Sequence, residues 1–365
     1  KGAEVDRARK NGETPLWIAC QKGHFAVATL LLDNGAAVDR ANKNGTTPLS
    51  IAKQNCHSYI VGLLEEHLYP LLAAAKTGDV DAMARLLDGG AEINQATENG
   101  TTPLWTACEN GHVDAARMLM DKGAEVDRAM SEGWDKGKTP LYIACQQGHV
   151  DAARLLLDKG AEVDLAKESG ATPLYVACEK GHVDAARLLL DKGAEVDLAK
   201  ESGATPLYVA CEKGHVDAAR LLLEKGADVN RANEYGQTPL YVACDEGHVD
   251  AALLLLEKGA AVNRADKDGW TPLYVACEED HVDAVRLLLD KGAEVDLAKE
   301  DGRTPLYVAC QEGHVDVARL LLDKGAAVDR ADNRGRTPMD AARDFNHDAL
   351  VVLLREQLDS KFPLH

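Results

Sequence analysis

Cysteine and histidine recur together along this chain, and they are the residue types with the clearest potential for chemistry. Every cysteine except Cys56 is followed four residues later by a histidine, as in Cys178 and His182. Thiolates and imidazoles are preferred ligands of zinc, which takes four converging donors in a structural site. Gly181 interrupts any helix between Cys178 and His182, and each such pair offers only two donors. The spacing therefore predicts no metal site, and we expect no cofactor.

The remaining polar residues form no catalytic pattern either. The sequence contains no nucleophile elbow, phosphate-binding glycine loop, paired catalytic carboxylates or H-E-x-x-H string. Asp and Glu recur instead at the predicted starts and ends of short helices, where they complement helix dipoles. We therefore expect that this protein is not an enzyme.

The overall charge excludes two further classes of partner. The formal net charge is −19 and the pI is near 5.0. A field of this sign repels phosphate backbones and anionic membrane surfaces. No run of about 18 apolar residues occurs, so the sequence also predicts no membrane-spanning helix. We expect neither nucleic acid nor a membrane as a partner.

The strongest signal is a period. Thr-Pro pairs return along the chain, most of them 33 residues apart. Residues 159–190 and 192–223 are the same string letter for letter, which indicates recent duplication or consensus construction. A period of this length is typical of repeat proteins, in which neighbouring units shelter each other's apolar faces. The pairs begin at Thr14, Thr47, Thr102, Thr139, Thr172, Thr205, Thr238, Thr271, Thr304 and Thr337.

One unit divides into two short helices and a turn. Thr172 is a suitable N-cap and Pro173 a suitable first residue, so the first helix is predicted to run from there to Gly181. The second helix carries its apolar residues on one face, and Gly193 ends it. Because helices of about two to three turns are marginal alone, the units must stack to be stable.

The unit TPLYVACEKGHVDAARLLLDKGAEVD resembles the ankyrin repeat, whose pattern is T-P-L-H-x-A, then G-H, a leucine-rich helix and G-A-x-V-N/D. Tyr replaces the family's His in most units, and Trp17 and Trp105 hold that place in two others. The resemblance covers nearly the whole chain. It implies an all-α solenoid of about eleven stacked helix-turn-helix units joined by β-hairpin loops. It also implies that the second-helix histidines hydrogen-bond between neighbouring turns; they are His112, His149, His182, His215, His248, His281 and His314.

The period is broken between Pro48 and Pro70, which lie 22 residues apart. The missing residues correspond to the loop between two units. We therefore predict a short N-terminal ankyrin block over residues 1–68, with a cap-like end, and a main array with a C-terminal cap over residues 69–365. The sequence begins within a unit, so we expect further chain to precede Lys1.

Two other irregularities stand out. The loop between Val126 and Thr139 holds four more residues than its counterparts and carries Trp134. Insertions in one loop of a repeat array often lie on its binding side, although the ring of Trp134 could instead fold back on its own repeat. Asp280 replaces a turn glycine, and Asp is among the residues that accept left-handed backbone geometry.

Acidic residues gather at the ends of three consecutive first helices, which the family resemblance places on a concave face. They should therefore align in one groove, although a charge run is often only a solvated helix face. Trp270, Arg303 and Arg336 directly precede the Thr of their units, on loops that line the same groove in this family. The candidate partner-binding residues are Trp134, Tyr235, Asp245, Glu246, Trp270, Glu278, Glu279, Arg303, Glu312 and Arg336.

These features predict a protein-protein interaction scaffold. The acidic groove and the hairpin tips would bind another protein through a basic segment, and added salt would weaken binding. Two alternatives stay open. One is a regulatory or targeting arm of a larger protein whose other domain precedes Lys1, and the other is a structural spacer, which near-identical units would suit.

The nine cysteines bear on the compartment. Equivalent positions in adjacent units should lie about 10 Å apart, whereas a disulfide needs Cα atoms within about 7 Å. The cysteines are therefore predicted to act as small apolar residues. So many unpaired thiols favour the cytoplasm or another reducing compartment.

Overall fold

The computed structural model describes residues 4–133 and 135–361, and all regular structure in these ranges is α-helical. The helices follow one another in pairs, which confirms the prediction of an all-α array of helix-turn-helix units. The helices are α1 (Pro15–Lys22), α2 (Phe25–Asp33), α3 (Pro48–Gln54), α4 (Ser58–Leu68), α5 (Pro70–Thr77), α6 (Val80–Asp88), α7 (Pro103–Glu109), α8 (Val113–Asp121), α9 (Pro140–Gln147), α10 (Val150–Asp158), α11 (Pro173–Glu179), α12 (Val183–Asp191), α13 (Pro206–Glu212), α14 (Val216–Glu224), α15 (Pro239–Asp245), α16 (Val249–Glu257), α17 (Pro272–Glu278), α18 (Val282–Asp290), α19 (Pro305–Glu312), α20 (Val315–Asp323), α21 (Pro338–Asp344) and α22 (Asp348–Lys361).

The chain forms two compact units. The first comprises residues 1–144 and 151–161, and the second comprises residues 145–150 and 162–365. In the first unit α1 packs on α3, and α5 packs on α7. In the second unit the odd-numbered helices from α11 to α21 stack in one row and the even-numbered helices from α12 to α22 in a second row.

A threonine starts each first helix except α5. Thr172 Oγ1 accepts a hydrogen bond from Tyr175 N at 3.1 Å, and Pro173 occupies the first helical position, where its missing N–H costs nothing. Helix α5 lacks this cap because Tyr69 precedes Pro70. The same threonine cap is made by Thr14, Thr47, Thr102, Thr139, Thr205, Thr238, Thr271, Thr304 and Thr337.

A histidine ties most second helices to the preceding unit. His215 Nε2 donates to the carbonyl oxygen of Glu179 at 3.1 Å, so the proton of the neutral ring lies on Nε2. This confirms the role that the family resemblance implied. Equivalent bonds are made by His112, His182, His248, His281 and His314, and also by His57 and His347, which the sequence pattern had not singled out.

The turn between the two helices requires a left-handed residue. Gly181 has φ of +72°, and a Cβ placed on it would lie 2.7 Å from His215 Nδ1. Asp280 takes the same conformation with φ of +58°, which confirms the prediction from its sequence position. Its carboxylate lies 3.7 Å from His314 Nδ1, and His314 still donates to the carbonyl oxygen of Glu278.

The loops between units are tighter than the expected β-hairpins. Lys167 N donates to Ala171 O at 3.0 Å and Gly170 N to Lys167 O at 2.8 Å, which closes a single turn. Glu201 N donates across to Ser169 O of the preceding loop. No strand occurs in residues 4–133 and 135–361. The loops therefore reverse the chain as hydrogen-bonded turns that are too short to build a strand ladder.

The missing loop near the start of the chain is visible directly. Helix α4 ends at Leu68 and α5 begins at Pro70, so Tyr69 alone connects them. The first two helix pairs share an apolar cluster in which Leu16, Ile60 and Leu64 are fully buried. The boundary between residues 68 and 69 stays a prediction.

The core is made of thin layers of Ala, Leu and Cys. The cysteines of the first helices are buried, as predicted for small apolar residues, whereas Cys56 is exposed. Burial raises the pKa of Cys20, Cys178 and Cys310 to about 12. Thiols in such surroundings are protonated and unreactive at neutral pH.

We therefore predict that only Cys56 reacts rapidly with a thiol reagent in the folded chain. The eight buried cysteines should react only as fast as the units open, and all nine should react at once in denaturant. Reaction with a chromogenic disulfide, followed by absorbance, measures both phases. The Cys56→Ser variant should lose the fast phase alone; a fast phase that survives this change would contradict the prediction.

Candidate functional site

Five acidic residues lie at the C-terminal ends of α15, α17 and α19, and we call them the acidic helix ends: Asp245, Glu246, Glu278, Glu279 and Glu312. At the corresponding end of α11 the sequence is Glu179–Lys180, with the two charges 3.6 Å apart. Helix α13 repeats this pairing. A helix C-terminus favours a cation, so replacing the lysine by Glu246 or Glu279 places acid where the helix dipole disfavours it.

The acidic helix ends interact with one another across three consecutive helix pairs. Burial, and then the charges of Glu246 and Glu279, raise the pKa of Asp245 to about 6. Burial, and then Glu279 and Glu312, raise the pKa of Glu278 to about 7. The structure thus brings these five predicted residues together on one surface and leaves their negative charge only partly compensated.

Trp270 joins the loop side of this surface to the helix ends. Its ring packs edge-on against Tyr274, with the ring centroids 5.1 Å apart. Lys299 Nζ lies 4.0 Å from the centroid of the Trp270 ring, and the same ammonium opposes the rise in the pKa of Glu278. Lys299 therefore connects Trp270 with Glu278. Sequence reasoning missed Lys299, although its register matches that of Lys200.

A row of tyrosines underlies the same surface and was not predicted as part of it. Lys200 Nζ lies 5.2 Å from the Tyr175 ring centroid, and Lys299 is similarly placed over Tyr274. At the corresponding loop positions next to Tyr208 and Tyr241 the chain carries Asn233 and Asp266. No cation from the described residues lies over these two rings.

The pKa values of both tyrosines reflect this negative environment. Burial, and then the charges of Glu212 and Asp245, raise the pKa of Tyr208. Burial, and then Asp266 and Asp245, raise the pKa of Tyr241. The surface around these two hydroxyl groups therefore favours a positive group supplied from outside the chain.

Arg303 and Arg336 lie at the far end of this surface and already have partners within the chain. Both guanidinium groups lie over the Tyr307 ring, at 5.4 and 5.9 Å from its centroid. Arg336 also pairs with Asp332 at 3.2 Å, and Arg303 donates to the side chain of Gln311. These two predicted residues therefore bound the acidic helix ends on one side.

The last two candidates lie apart from this cluster or cannot be placed. Tyr235 sits on a loop tip with 59% of its surface exposed, and its carbonyl oxygen accepts from Lys267 N. The structure shows no contact between its ring and the acidic helix ends. Trp134 lies outside the described residues.

Two kinds of site are not found in the described part of the chain. It holds no group of three or more His, Cys, Asp or Glu side chains that could bind a metal ion. None of its helices combines the length and the apolar character that a bilayer-crossing segment needs.

Comparison with known families agrees with the repeated helix pair. A family model described as ankyrin repeats, in three copies, matches residues 1–70, 65–130, 126–200, 163–233, 194–266, 231–299 and 294–362. No curated protein matches the chain. The matched segments cover nearly the whole sequence, and the threonine caps, turn glycines and linking histidines recur through them. The chain belongs to the ankyrin-repeat family.

Proposed function

We propose that this chain binds a basic segment of another protein on the surface formed by the acidic helix ends and the adjoining loop tips. Ankyrin repeats generally mediate protein-protein interaction. The observation that carries the finer proposal is the lysine missing from α15 and α17. At Glu246 and Glu279 the chain gives up a cation that Lys180 and Lys213 supply to otherwise similar helix ends.

This arrangement is unfavourable in the free chain. The acidic side chains are partly buried, repel one another and face the negative ends of their own helices. A partner's lysine or arginine near Asp245, Glu278 and the Tyr241 hydroxyl would offset the burial of the charges, their mutual repulsion and the unfavourable helix dipoles. Because His281 and His314 donate hydrogen bonds to the carbonyl oxygens of Asp245 and Glu278, the helix ends are already held in place and little ordering would accompany binding.

A second candidate, a structural spacer, is favoured by one observation. Residues 159–190 and 192–223 are identical in sequence, so their surfaces carry the same side chains and do not distinguish one unit from the other. The acidic helix ends distinguish the following units, however, and a spacer has no need of destabilising charge. We therefore place binding first, in a protein that we propose is not an enzyme.

The proposed function predicts that affinity rises with pH. In the free chain the carboxyl groups of Asp245 and Glu278 have pKa values of about 6 and about 7, and a bound cation lowers them. Binding must then release protons, so affinity should increase from about pH 5 to about pH 8 and level off above it. Calorimetric titration with a peptide of alternating lysine and serine, in two buffers of different ionisation enthalpy, measures both affinity and proton release.

Two controls make this test specific. A peptide of the same length with glutamate in place of lysine should not bind. The variant Asp245→Asn with Glu278→Gln should bind the lysine peptide more weakly and without proton release. Lysine-peptide binding by the original chain that is independent of pH, or capture of both peptides alike, would sink the proposed function.

The same pKa values set the sign of the effect on stability. A carboxyl group whose pKa is raised by folding stabilises the folded chain below its ordinary pKa of about 4, and this stabilisation is lost as pH rises through the raised value. Asp245 and Glu278 therefore weaken the free chain at neutral pH relative to mildly acidic pH. A bound basic segment offsets this loss.

We also propose that the chain works in the cytoplasm or another reducing compartment. The proposal rests on the buried cysteines, which recur in one register, and on the exposed thiol of Cys56. An exposed thiol is prone to form disulfides between chains under oxidising conditions.

A further inference from the structure

Helix α7 contains two buried polar atoms that lack hydrogen-bond partners. Trp105 is 94% buried and Thr106 is 97% buried, yet neither Trp105 Nε1 nor Thr106 Oγ1 has a partner among the described residues. Native chains rarely leave buried donors in this state, because such groups lose water without gaining a replacement. The two atoms therefore indicate a place where a ligand could supply the missing hydrogen-bond partners.

The equivalent tryptophan of the first helix pair makes the hydrogen bond that Trp105 lacks. Trp17 Nε1 donates to the carbonyl oxygen of Thr46, the residue before the next Thr-Pro, at 3.0 Å. The residue in this position for Trp105 is Lys138, whose carbonyl oxygen accepts from Met130 N just as that of Thr46 accepts from Asn42 N, yet Trp105 Nε1 has no partner. The four extra residues of this loop make a wider turn, in which Gly137 N donates to Met130 O. The loop after α8 therefore differs from its counterpart by a wider turn, and Trp105 lacks the hydrogen bond that Trp17 makes.

Thr106 is a second departure in the same helix. The corresponding residues of α11, α13 and α15 are valines, and they are fully buried. Replacing Val by Thr adds a hydroxyl group, and burying that group without a hydrogen-bond partner is unfavourable. Helix α7 therefore differs from its repeated counterparts at two adjacent positions: at Trp105 an indole N–H stands where they have a tyrosine hydroxyl, and Thr106 adds a hydroxyl group.

Both residues line an open cleft of about 540 Å³. This volume lies in the range of ligand sites, about 300–1,000 Å³. Five carboxylates line the cleft against the two ammonium groups of Lys53 and Lys76, and Leu72 and Met130 add apolar surface. The carboxylates belong to Glu65, Glu98, Glu109, Glu132 and Asp135.

The charges of the cleft are only partly balanced. Lys53 pairs with both Glu65 and Glu98, at 3.2 and 3.4 Å. Burial raises the pKa of Glu109, Lys76 and Lys138 oppose this rise, and Asp135, which pairs with Lys138, adds to it. The five carboxylates thus face three ammonium groups in all. A cation entering here would therefore meet an excess of carboxylate, while the donors at the base of the cleft call for an oxygen acceptor.

We propose that this cleft binds a peptide segment that carries an arginine or a lysine, with a main-chain carbonyl accepting from Trp105 Nε1 and the cationic side chain held between Glu98 and Glu109. Thr106 Oγ1 supplies a second hydrogen bond to the same segment. Because both orphaned atoms are buried, side chains that line the cleft shift when the segment enters. The site lies in the first compact unit and is independent of the acidic helix ends.

The experiment follows the indole N–H signals of the ¹⁵N-labelled chain by NMR. The probe is acetyl-Gly-Arg-Gly-amide, titrated to about 10 mM because one short segment binds weakly. The Trp105 signal, assigned from the variant that lacks it, should move downfield as a carbonyl approaches. The Trp17 signal should stay in place, since that indole is already bonded to Thr46.

A matched variant tests the site without risk to the fold. The changes Trp105→Tyr and Thr106→Val turn PLWTACE into PLYVACE, the sequence of α11, so this helix already exists in the chain. Affinity for the arginine peptide should fall at least about tenfold in this variant. The pair Glu246→Lys and Glu279→Lys should leave it unchanged, which separates this site from the proposed function.

Three outcomes would overturn the proposal. The first is a Trp105 signal that does not move, and the second is equal affinity in the PLYVACE variant. The third is equal affinity for the analogue with neutral citrulline in place of arginine, which would remove the cation from the argument.

Discussion

Replacing Leu189 by alanine should destabilise the chain by about 2–5 kcal/mol. Leu189 is 0% exposed and lies on α12, which packs on α11 of its own pair and on α14 of the next. Removal of the side chain leaves a cavity that neighbours on both sides prevent from collapsing. Urea unfolding followed by circular dichroism measures the loss.

The array supplies its own controls for this prediction. Leu190 follows on the same helix but is only partly buried, so Leu190→Ala should cost clearly less. Leu222 occupies the same place in the identical copy, and Leu222→Ala should match Leu189→Ala within about 0.5 kcal/mol. Costs that differ by more than this would show that a unit's contribution depends on its position in the array.

Reversing two charges should abolish most of the proposed binding. With Glu246→Lys and Glu279→Lys together, capture of a lysine-rich peptide should weaken by about 10- to 100-fold, since each close charge contact is worth about 1 kcal/mol in water. The free chain should be equally stable or more stable, because these changes recreate the Lys180 and Lys213 arrangement. Calorimetry measures the first effect, and urea unfolding measures the second.

The mirror-image variant completes the comparison. Lys180→Glu with Lys213→Glu extends the acidic helix ends by two units, so peptide affinity should rise and become more sensitive to salt. Helical content should stay the same in both variants. If the Glu246 and Glu279 reversals leave affinity unaltered while the fold is intact, the acidic helix ends are not the binding surface.

Local sequence was enough to predict the helix pairs. Thr172, Pro173 and Gly181 each act through their own backbone geometry, so a cap, a first turn and a left-handed stop can be read residue by residue. The left-handed Asp280 followed from the same reasoning. The β-hairpins did not, because the loops close after one turn and their remaining bonds go to neighbouring loops.

The candidate site was predictable only in part. Register alone brought Asp245 and Glu278 together, but the rise in their pKa values depends on burial and on charges from adjacent pairs. The missing partner of Trp105 could not be inferred from α7 itself, since the acceptor that Trp17 uses belongs to a loop some thirty residues later. Contacts between units carry this information, and a single unit's sequence does not.

The histidine bonds have a mechanical consequence at the acidic helix ends. His281 donates a hydrogen bond to the carbonyl oxygen of Asp245, and His314 donates one to that of Glu278. The residues that would face a ligand therefore also hold the next helix pair in place. A pull on either carboxylate is passed through its own peptide group into the following helix. Force applied through a bound chain would therefore be distributed over several helix pairs instead of separating one pair from the next.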